Sequence, residues 1–363
     1  MKKVAIVGIQ GVPAKYGGFE TLVENIIGEN CSANIQYTVF CSSKDYAEKL
    51  PSYKGALLKY IPVHANGMQS TIYDILSLLK VIRGYDVVMI LGVSGCAFLP
   101  VFRLFYKKKL IVNIDGLEHQ RAKWGKFAKW FLRLSEALAV RYADVIVADN
   151  KAIKDYVWKT YRKESVLIAY GGEHAVRKID SMTEKNILEK YQLTSQNYAL
   201  SICRIEPENN CHISLEAFAQ SGERLVFIGN WEISEYGEIL KAQYSVYPHI
   251  LILDAIYDLD VLYVLRKNCK CYIHGHSAGG TNPSLVEAMF LAPVLAYDVI
   301  YNRETTENKA DYFTDTKDLI PLLRKNREEI RMNATSMFEI ANQNYVWSKI
   351  AKLYEEIIHV NFT

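Results

Sequence analysis

Gly279-Gly280-Thr281-Asn282-Pro283-Ser284-Leu285-Val286-Glu287-Ala288-Met289 comes shortly after the apolar run Cys271-Tyr272-Ile273-His274. The stretch reads as a strand, a loop of small residues and the start of a helix, the unit from which parallel α/β sheets are built. Backbone N–H groups and the positive end of a helix dipole meet at such a junction, which suits a diphosphate. Glu287 falls in the first turn of the expected helix, where it could reach a neighbouring sugar hydroxyl. The stretch suggests an enzyme that holds a nucleotide-sugar. The same residues also describe a helix start with no ligand. Ser284 and Glu287 fit an S-x-x-E capping box, and Asn282-Pro283 fits an N-cap followed by proline at the first helical position.

The chain of 363 residues is too long for one ordinary core and predicts two domains. With 50% apolar and 23% charged residues it should be folded and soluble. A net charge of +3 does not point to nucleic acid, and none is expected as a partner. The cysteines (31, 41, 96, 203, 211, 269 and 271) are odd in number and scattered. They predict a reducing cytoplasm, with neither a disulfide framework nor a zinc site. Met1-Lys2-Lys3 opens like a signal peptide, but the apolar run ends at Gly8-Ile9-Gln10-Gly11 without a small-residue cleavage site, so no signal peptide is expected. Residues 87–106 are apolar enough to raise a transmembrane span. Gly92, Gly95, Pro100 and Arg103 divide them instead into a strand (87–91), a loop and a short helix.

Short buried strands alternate with amphipathic helices along the chain. Strands are expected at 4–9, 37–41, 57–61, 87–91, 110–114 and 145–148, then again at 198–203, 224–228, 250–253, 271–274 and 293–296. Helices are expected at 20–27, 72–82, 127–142, 211–219, 233–244, 256–267 and 284–290, with a helical tail over 342–358. The break lies near Tyr170-Gly171-Gly172-Glu173-His174 and the polar stretch 178–189. This predicts an α/β protein of two Rossmann-like, doubly wound domains, 1–172 and 173–341, facing a central cleft at the carboxyl ends of their strands. The tail (342–363) is expected to cross back onto the first domain.

Further candidate residues lie just beyond expected strands. The loop from Gly8 to Thr21 lacks G-x-G-x-x-G, which weakens a dinucleotide reading, but Gly17-Gly18 before a helix allows close backbone approach to a ligand. Asn113-Ile114-Asp115-Gly116-Leu117-Glu118-His119 offers two carboxylates and a histidine to orient or deprotonate an acceptor hydroxyl; a plain turn with a solvated histidine fits as well. Arg204 could bind a diphosphate bidentately and stabilise charge on a departing nucleotide, or simply pair with Glu206 or Glu208. Asp254 and Asn302-Arg303-Glu304 are weaker strand-end candidates. Lys107-Lys108-Lys109 and the run from Arg121 to Phe131 mix cations with aromatic rings, as on a membrane-surface face or a partly buried helix with a solvated edge.

Taken in order, Gly8 to Thr21 with Tyr16-Gly17-Gly18-Phe19-Glu20-Thr21, Asp115-Gly116-Leu117-Glu118 with Arg121-Ala122-Lys123-Trp124, Arg204 to Asn210, Gly229-Asn230-Trp231 and Gly279 to Met289 resemble a GT-B glycosyltransferase of family 4. The bacterial rhamnosyltransferases of polysaccharide assembly are the similar subgroup, and the resemblance spans nearly the whole chain. Two departures stand out. Gly279 occupies the first position of the family's Glu-x7-Glu motif, with Glu287 in the second. Asn209 stands where the Arg-x4-Lys clamp has its lysine, leaving Lys15 or Arg303 as candidates for the missing charge.

The resemblance implies retention of anomeric configuration, no cofactor and no divalent metal, and no Asp-x-Asp motif sits directly after an expected strand. It implies that the second domain holds a thymidine or uridine diphosphate sugar, the sugar being L-rhamnose on the best match. Donor contacts would come from Arg204, Asn209, Gly279, Gly280, Thr281, Asn282, Ser284 and Glu287, with Gly17 and Gly18 from the first domain. Tyr16, Phe19, Glu20 and Asp115 would hold the acceptor, and Asp115, Glu118 or His119 would assist its attack. Acceptors would be saccharides or polyprenol-linked saccharides, reached from the cytoplasm, with peripheral contact at the inner membrane face. A UDP-glucose or UDP-galactose transferase, a nucleotide-sugar 2-epimerase of the same two-domain shape, and a silent nucleotide-sugar sensor remain as rival readings.

Overall fold

The computed structural model describes residues 1–15, 17–30, 32, 34–67, 69–121 and 124–360. It divides into two units, one of Met1–Ala169 with Trp347–Thr363, the other Tyr170–Val346. The first holds strands β1 (Lys2–Val7), β2 (Ile35–Ser42), β3 (Ser52–Tyr53), β4 (Ala56–Ile61), β5 (Val87–Leu91), β6 (Lys109–Asn113), β7 (Val145–Ala148) and β8 (Val166–Leu167). The second holds β9 (Ala199–Ile202), β10 (Leu225–Ile228), β11 (Ile250–Leu253), β12 (Cys271–His274), β13 (Val294–Tyr297) and β14 (Asp311–Phe313).

The sheet orders are β3-β4-β2-β1-β5-β6-β7-β8 and β11-β10-β9-β12-β13-β14. Every pairing is parallel except β3 with β4. Central strands such as β5, Val-Val-Met-Ile-Leu, are buried throughout because helices cover both faces of a parallel sheet. In each unit the chain begins in mid-sheet, runs outward on one side, then restarts on the other. Strand direction of travel therefore reverses between β1 and β5, and between β9 and β12. At these switch points the connecting loops leave in opposite directions and open a crevice beyond the carboxyl ends of the strands.

In the second unit alternate residues feed two cores. Leu225 and Phe227 of β10 face one, with Phe218, Trp231 and Phe313. Val226 and Ile228 face the other, with Tyr198, Leu200 and Tyr272. In the first unit the helix Trp347–His359 lies on the helix Gly18–Gly28. Asn113 Nδ2 donates to the buried Tyr354 hydroxyl at 3.0 Å, and Lys2 Nζ to the Ile358 carbonyl at 3.2 Å.

Several expected elements are redrawn. The tail is not one helix over 342–358. The helix Arg327–Asn344 ends at Tyr345, whose hydroxyl donates to the Thr305 carbonyl, and Trp347–His359 starts anew. The polar stretch 178–189 forms the helix Ser181–Lys190, started by Asp180, whose carboxylate accepts the Met182 and Thr183 N–H groups. None of that helix is buried, so it has no apolar stripe to betray it. β3, β8 and β14 are two or three residues long and escape pattern reading. Residues 87–106 become β5, a turn and the helix Leu99–Phe105. Among the described residues no helix is long and apolar enough to cross a membrane.

Trp231 is fully buried, stacks edge-on with Phe227 at 5.1 Å and donates from Nε1 to the Leu253 carbonyl at 2.9 Å. Trp231→Ala is predicted to destabilise the second unit by about 3–5 kcal/mol, read from urea unfolding.

Candidate functional site

At the switch point of the second unit, Arg204 follows β9 and the loop 275–282 follows β12. These loops are joined to each other. Asn209 Nδ2 donates to the Arg204 carbonyl at 2.6 Å, while its Oδ1 accepts from His276 Nδ1. Asn210 Nδ2 donates to the Gly275 carbonyl at 2.9 Å, and Ser277 donates from N and Oγ to the Glu208 carbonyl at 2.9 and 2.8 Å. A Cβ on Gly275 would overlap the Asn209 carbonyl oxygen, so only glycine permits this approach. Asn302 holds the far side, donating to the His276 and Tyr297 carbonyls at 2.9 and 2.8 Å.

Asn209, at the position where the resemblance leads one to expect a lysine, is thus a buried connector and not a cation substitute. Arg303 is taken by Asp298 in a fork, at 2.5 and 2.7 Å, and stacks on Tyr312. Lys15, in the first unit, donates to the Asp45 carbonyl at 3.1 Å and lies over the Tyr46 ring. Arg204 is held only loosely, 3.8 Å from Glu206, with its side chain 42% exposed. A guanidinium in that state can turn to an anion at little expense.

Gly279 takes a positive φ of 110° beside His276, and Gly280 and Thr281 are buried. The helix that follows, Pro283–Met289, is capped by Asn282, whose Oδ1 accepts the Ser284 N–H at 3.0 Å and its hydroxyl at 2.9 Å. Asn282 therefore supplies the cap, and the Ser284–Glu287 capping box does not form. Because Pro283 starts the helix, Glu287 lies beyond the first turn. Its Oε2 meets Arg266 Nη2 at 2.5 Å and its Oε1 meets His174 Nε2 at 3.3 Å. Burial works to raise the Glu287 pKa, but Arg266 and His174 together outweigh it and keep the carboxyl below its ordinary range. A carboxylate offers about four lone-pair directions, so two partners leave it able to accept hydroxyl donors.

His274, at the end of β12, is buried with Nε2 unpartnered, and burial pushes its pKa down to about 3. Asp254 lies 3.5 Å from Lys241. In Asp258-Leu259-Asp260, Asp258 caps the helix Leu259–Asn268 and Asp260 pairs with Arg177 at 2.8 Å. Among the described residues no group of three or more His, Cys, Asp and Glu side chains is arranged to hold a metal ion.

In the first unit the switch point is closed at its base by Gly8, at φ 95°, where a Cβ would overlap the Leu91 carbonyl oxygen of β5. Glu20 is buried and accepts the Gln10 N–H at 2.9 Å, pinning the loop after β1. Burial raises its pKa against its backbone hydrogen bonds, and the nearby charge of Asp115 adds to the rise. Glu20 and Asp115 are therefore neighbours, and Phe19 lies against the Gly92 loop after β5. Gly17 is the N-cap of the helix that Gly18 opens. Tyr16 lies outside the described residues.

Asp115 has a left-handed backbone, φ 61°, and its N–H donates to Asn113 Oδ1 at 3.0 Å. Glu118 pairs with Arg121 at 2.8 Å and accepts from Trp124 Nε1 at 3.2 Å. His119 Nδ1 meets Glu136 Oε2 at 3.1 Å, and Glu136 also accepts from the hydroxyls of Tyr156 and Tyr161 at 2.9 and 2.7 Å. A buried carboxylate thus fixes which imidazole nitrogen turns inward. Asp74, buried on the helix Gln69–Val81, accepts from Ser94 Oγ, and burial raises its pKa to about 7. His276, Arg266, His174, Glu136 and Asp74 were not evident from the sequence. Each acts through a partner distant along the chain, and only the small residues around His276 hinted at a tight loop.

The family profile described as Domain of unknown function (DUF1972) matches residues 1–173. The α-1,3/1,6-mannosyltransferase ALG2 of Kluyveromyces lactis is 23% identical over 235 residues, covering 57% of this chain and 45% of that protein. The chain thus spans about half the length of the curated relative it matches. A sucrose-phosphate synthase from Thermosynechococcus elongatus superposes with a TM-score of 0.81 at 15% identity, covering 98% of this chain and 99% of that one. Anabaena Alr3699/HepE, solved in complex with UDP, superposes at 0.76 with 14% identity and 99% coverage of both chains. The fold is GT-B. Both Rossmann-like sheets of this GT-B protein have counterparts in these neighbours, and the likeness extends over the whole chain.

The buried His274 gives a pH signature. A histidine whose folded pKa lies below its unfolded value stays neutral while the unfolded chain takes up a proton, so stability falls as pH drops below about 6.5. Glu287 adds to the loss only at lower pH, near the ordinary carboxylate range. Asp74 and Glu20, whose folded pKa values lie above their unfolded ones, work the other way over the same range, so the share of His274 is read as a difference: between about pH 6.5 and pH 5 the thermal midpoint is predicted to fall relative to that of His274→Phe.

Proposed function

We propose that the protein is a glycosyltransferase that takes a sugar from a nucleoside diphosphate donor. The observation that carries this reading is the second unit's switch point, where Arg204 and the ion-paired Glu287 flank the loop 275–282. The neighbour that holds UDP shares the fold, which supports a uridine or thymidine diphosphate here. Arg204 turns from Glu206 to the diphosphate and stabilises charge on the leaving group. Because Asn282 already takes the Ser284 N–H, the anion falls to the backbone of Gly279 and Gly280, with Asn209 holding that loop in place. Glu287 accepts the ribose hydroxyls, its orientation fixed by Arg266 and His174.

The acceptor falls to the first unit, with Asp115, Glu118 and His119 on its side and Phe19 and Glu20 shaping the crevice. As the bond from the anomeric carbon to the diphosphate oxygen breaks, the acceptor hydroxyl oxygen bonds to that carbon on the same face, giving retention, and its proton passes to the departing diphosphate with Asp115, Glu118 or His119 assisting. L-Rhamnose from dTDP-rhamnose is the donor favoured by the ordered motif set, and a polyprenol-linked saccharide of cell-surface polysaccharide synthesis is the favoured acceptor. The protein would meet it in peripheral contact with the inner membrane face.

The test is nucleoside diphosphate release from dTDP-rhamnose, UDP-glucose and UDP-galactose, with and without a lipid-linked saccharide. Acceptor-dependent release is expected; sugar conversion without acceptor would point to an epimerase instead. Arg204→Ala should lower kcat by about a hundred- to a thousandfold. Glu287→Gln should raise the donor KM, and is the better variant because Glu287→Ala would strand the buried Arg266 charge, at about 3–5 kcal/mol. Near-normal turnover in Arg204→Ala would sink the site assignment.

A further inference from the structure

In the first unit the helices Leu99–Phe105 and Lys126–Tyr142 pack on each other and turn large apolar side chains outward. Leu104 is 67% exposed, Phe105 65%, Phe127 79% and Trp130 60%, with Val101 and Leu134 exposed beside them. Scattered exposed apolar residues are ordinary, so contiguity is what matters. Phe127, Trp130 and Leu134 follow one face of a helix, and the Phe127 and Trp130 rings stand 5.9 Å apart. The cations on this surface are Lys126, Lys129 and Arg133 on the longer helix and Lys107 and Lys108 beyond the shorter one. Lys108 is paired with Asp86 at 2.7 Å. The longer helix has a single carboxylate, Glu136, and that is buried and turned inward to His119, Tyr156 and Tyr161. The shorter helix has none.

The face begins later than the sequence run suggested. Arg121 is buried against Glu118, Trp124 also turns to Glu118, and Ala122 and Lys123 lie outside the described residues. An outward surface of rings and cations, with the longer helix's one acid withdrawn and the bordering Asp86 and Asp144 paired with Lys108 and Arg103, complements a boundary that is anionic at one depth and apolar just beneath.

We propose that this two-helix face docks the first unit on an anionic bilayer, with Phe105, Phe127 and Trp130 entering the headgroup–acyl boundary and Lys126, Lys129 and Arg133 meeting lipid phosphates. It deepens the membrane contact of the proposed function by naming its residues and lipid class. Vesicle binding is read without sugar transfer, so either reading can fail alone.

The test is co-sedimentation of the full chain with vesicles of phosphatidylcholine alone or mixed with phosphatidylglycerol. Binding to the mixed vesicles, weakening with salt, is expected. The double variant Phe127→Ser/Trp130→Ser should partition about tenfold or more weakly, with its thermal midpoint unchanged because both side chains are exposed. Lys126→Glu/Arg133→Glu should release the protein as well. Absence of wild-type binding, equal binding to neutral vesicles, or undiminished binding by the Phe127/Trp130 variant would overturn the proposal. So would self-association in the ultracentrifuge that this variant abolishes, if vesicles are not bound, because the face would then belong to a second copy.

Discussion

Asn209, which donates to the Arg204 carbonyl and accepts from His276 Nδ1, holds the second unit's candidate site together. A parallel sheet entered in its middle leaves two adjacent strand ends whose loops run apart. Without a tie, the loops after β9 and β12 would each be a mobile surface connection. Asn209, Asn210 and Ser277 tie them, Gly275 permits the approach, and Asn302 fixes the other side. The consequence is a rigid base from which the exposed Arg204 side chain can move. A neutral asparagine here supplies fixed geometry and no charge.

The first unit uses buried carboxylates for the same end. Glu20 pins the loop after β1, Asp74 anchors the loop after β5 through Ser94, and Glu136 orients His119 beyond β6. The helix Lys126–Tyr142 serves two purposes at once. Its inner face carries Glu136, and its outer face carries Phe127 and Trp130. A single amphipathic element therefore links His119 to a surface rich in rings and cations.

Much of this was legible in the sequence, for identifiable reasons. The long buried strands and the stripe helices announce themselves by period, and the strand ends that carry Asp115, Arg204 and Gly279 followed from them. The helix Ser181–Lys190 did not, because it buries nothing, and β14 did not, because three residues hold no period. Asn282 was readable as a cap from the proline after it. Glu287 stood out in the sequence, but its partners Arg266 and His174 did not, since pairing across a fold leaves no local pattern. Glu20 was named as an acceptor contact from the resemblance, but that its carboxylate also accepts the Gln10 N–H could not be read from the sequence.

The most direct measurement is thermal unfolding of the chain in EDTA against uridine, thymidine and adenosine diphosphates. A ligand that binds only the folded state stabilises it by about 2.7 kcal/mol at a hundredfold excess over Kd. The account predicts a saturable rise in midpoint with uridine or thymidine diphosphate, reduced in Asn209→Ala, whose loop loses its tie. No shift with any nucleoside diphosphate would contradict a donor site at the β9–β12 switch point, and with it the central claim.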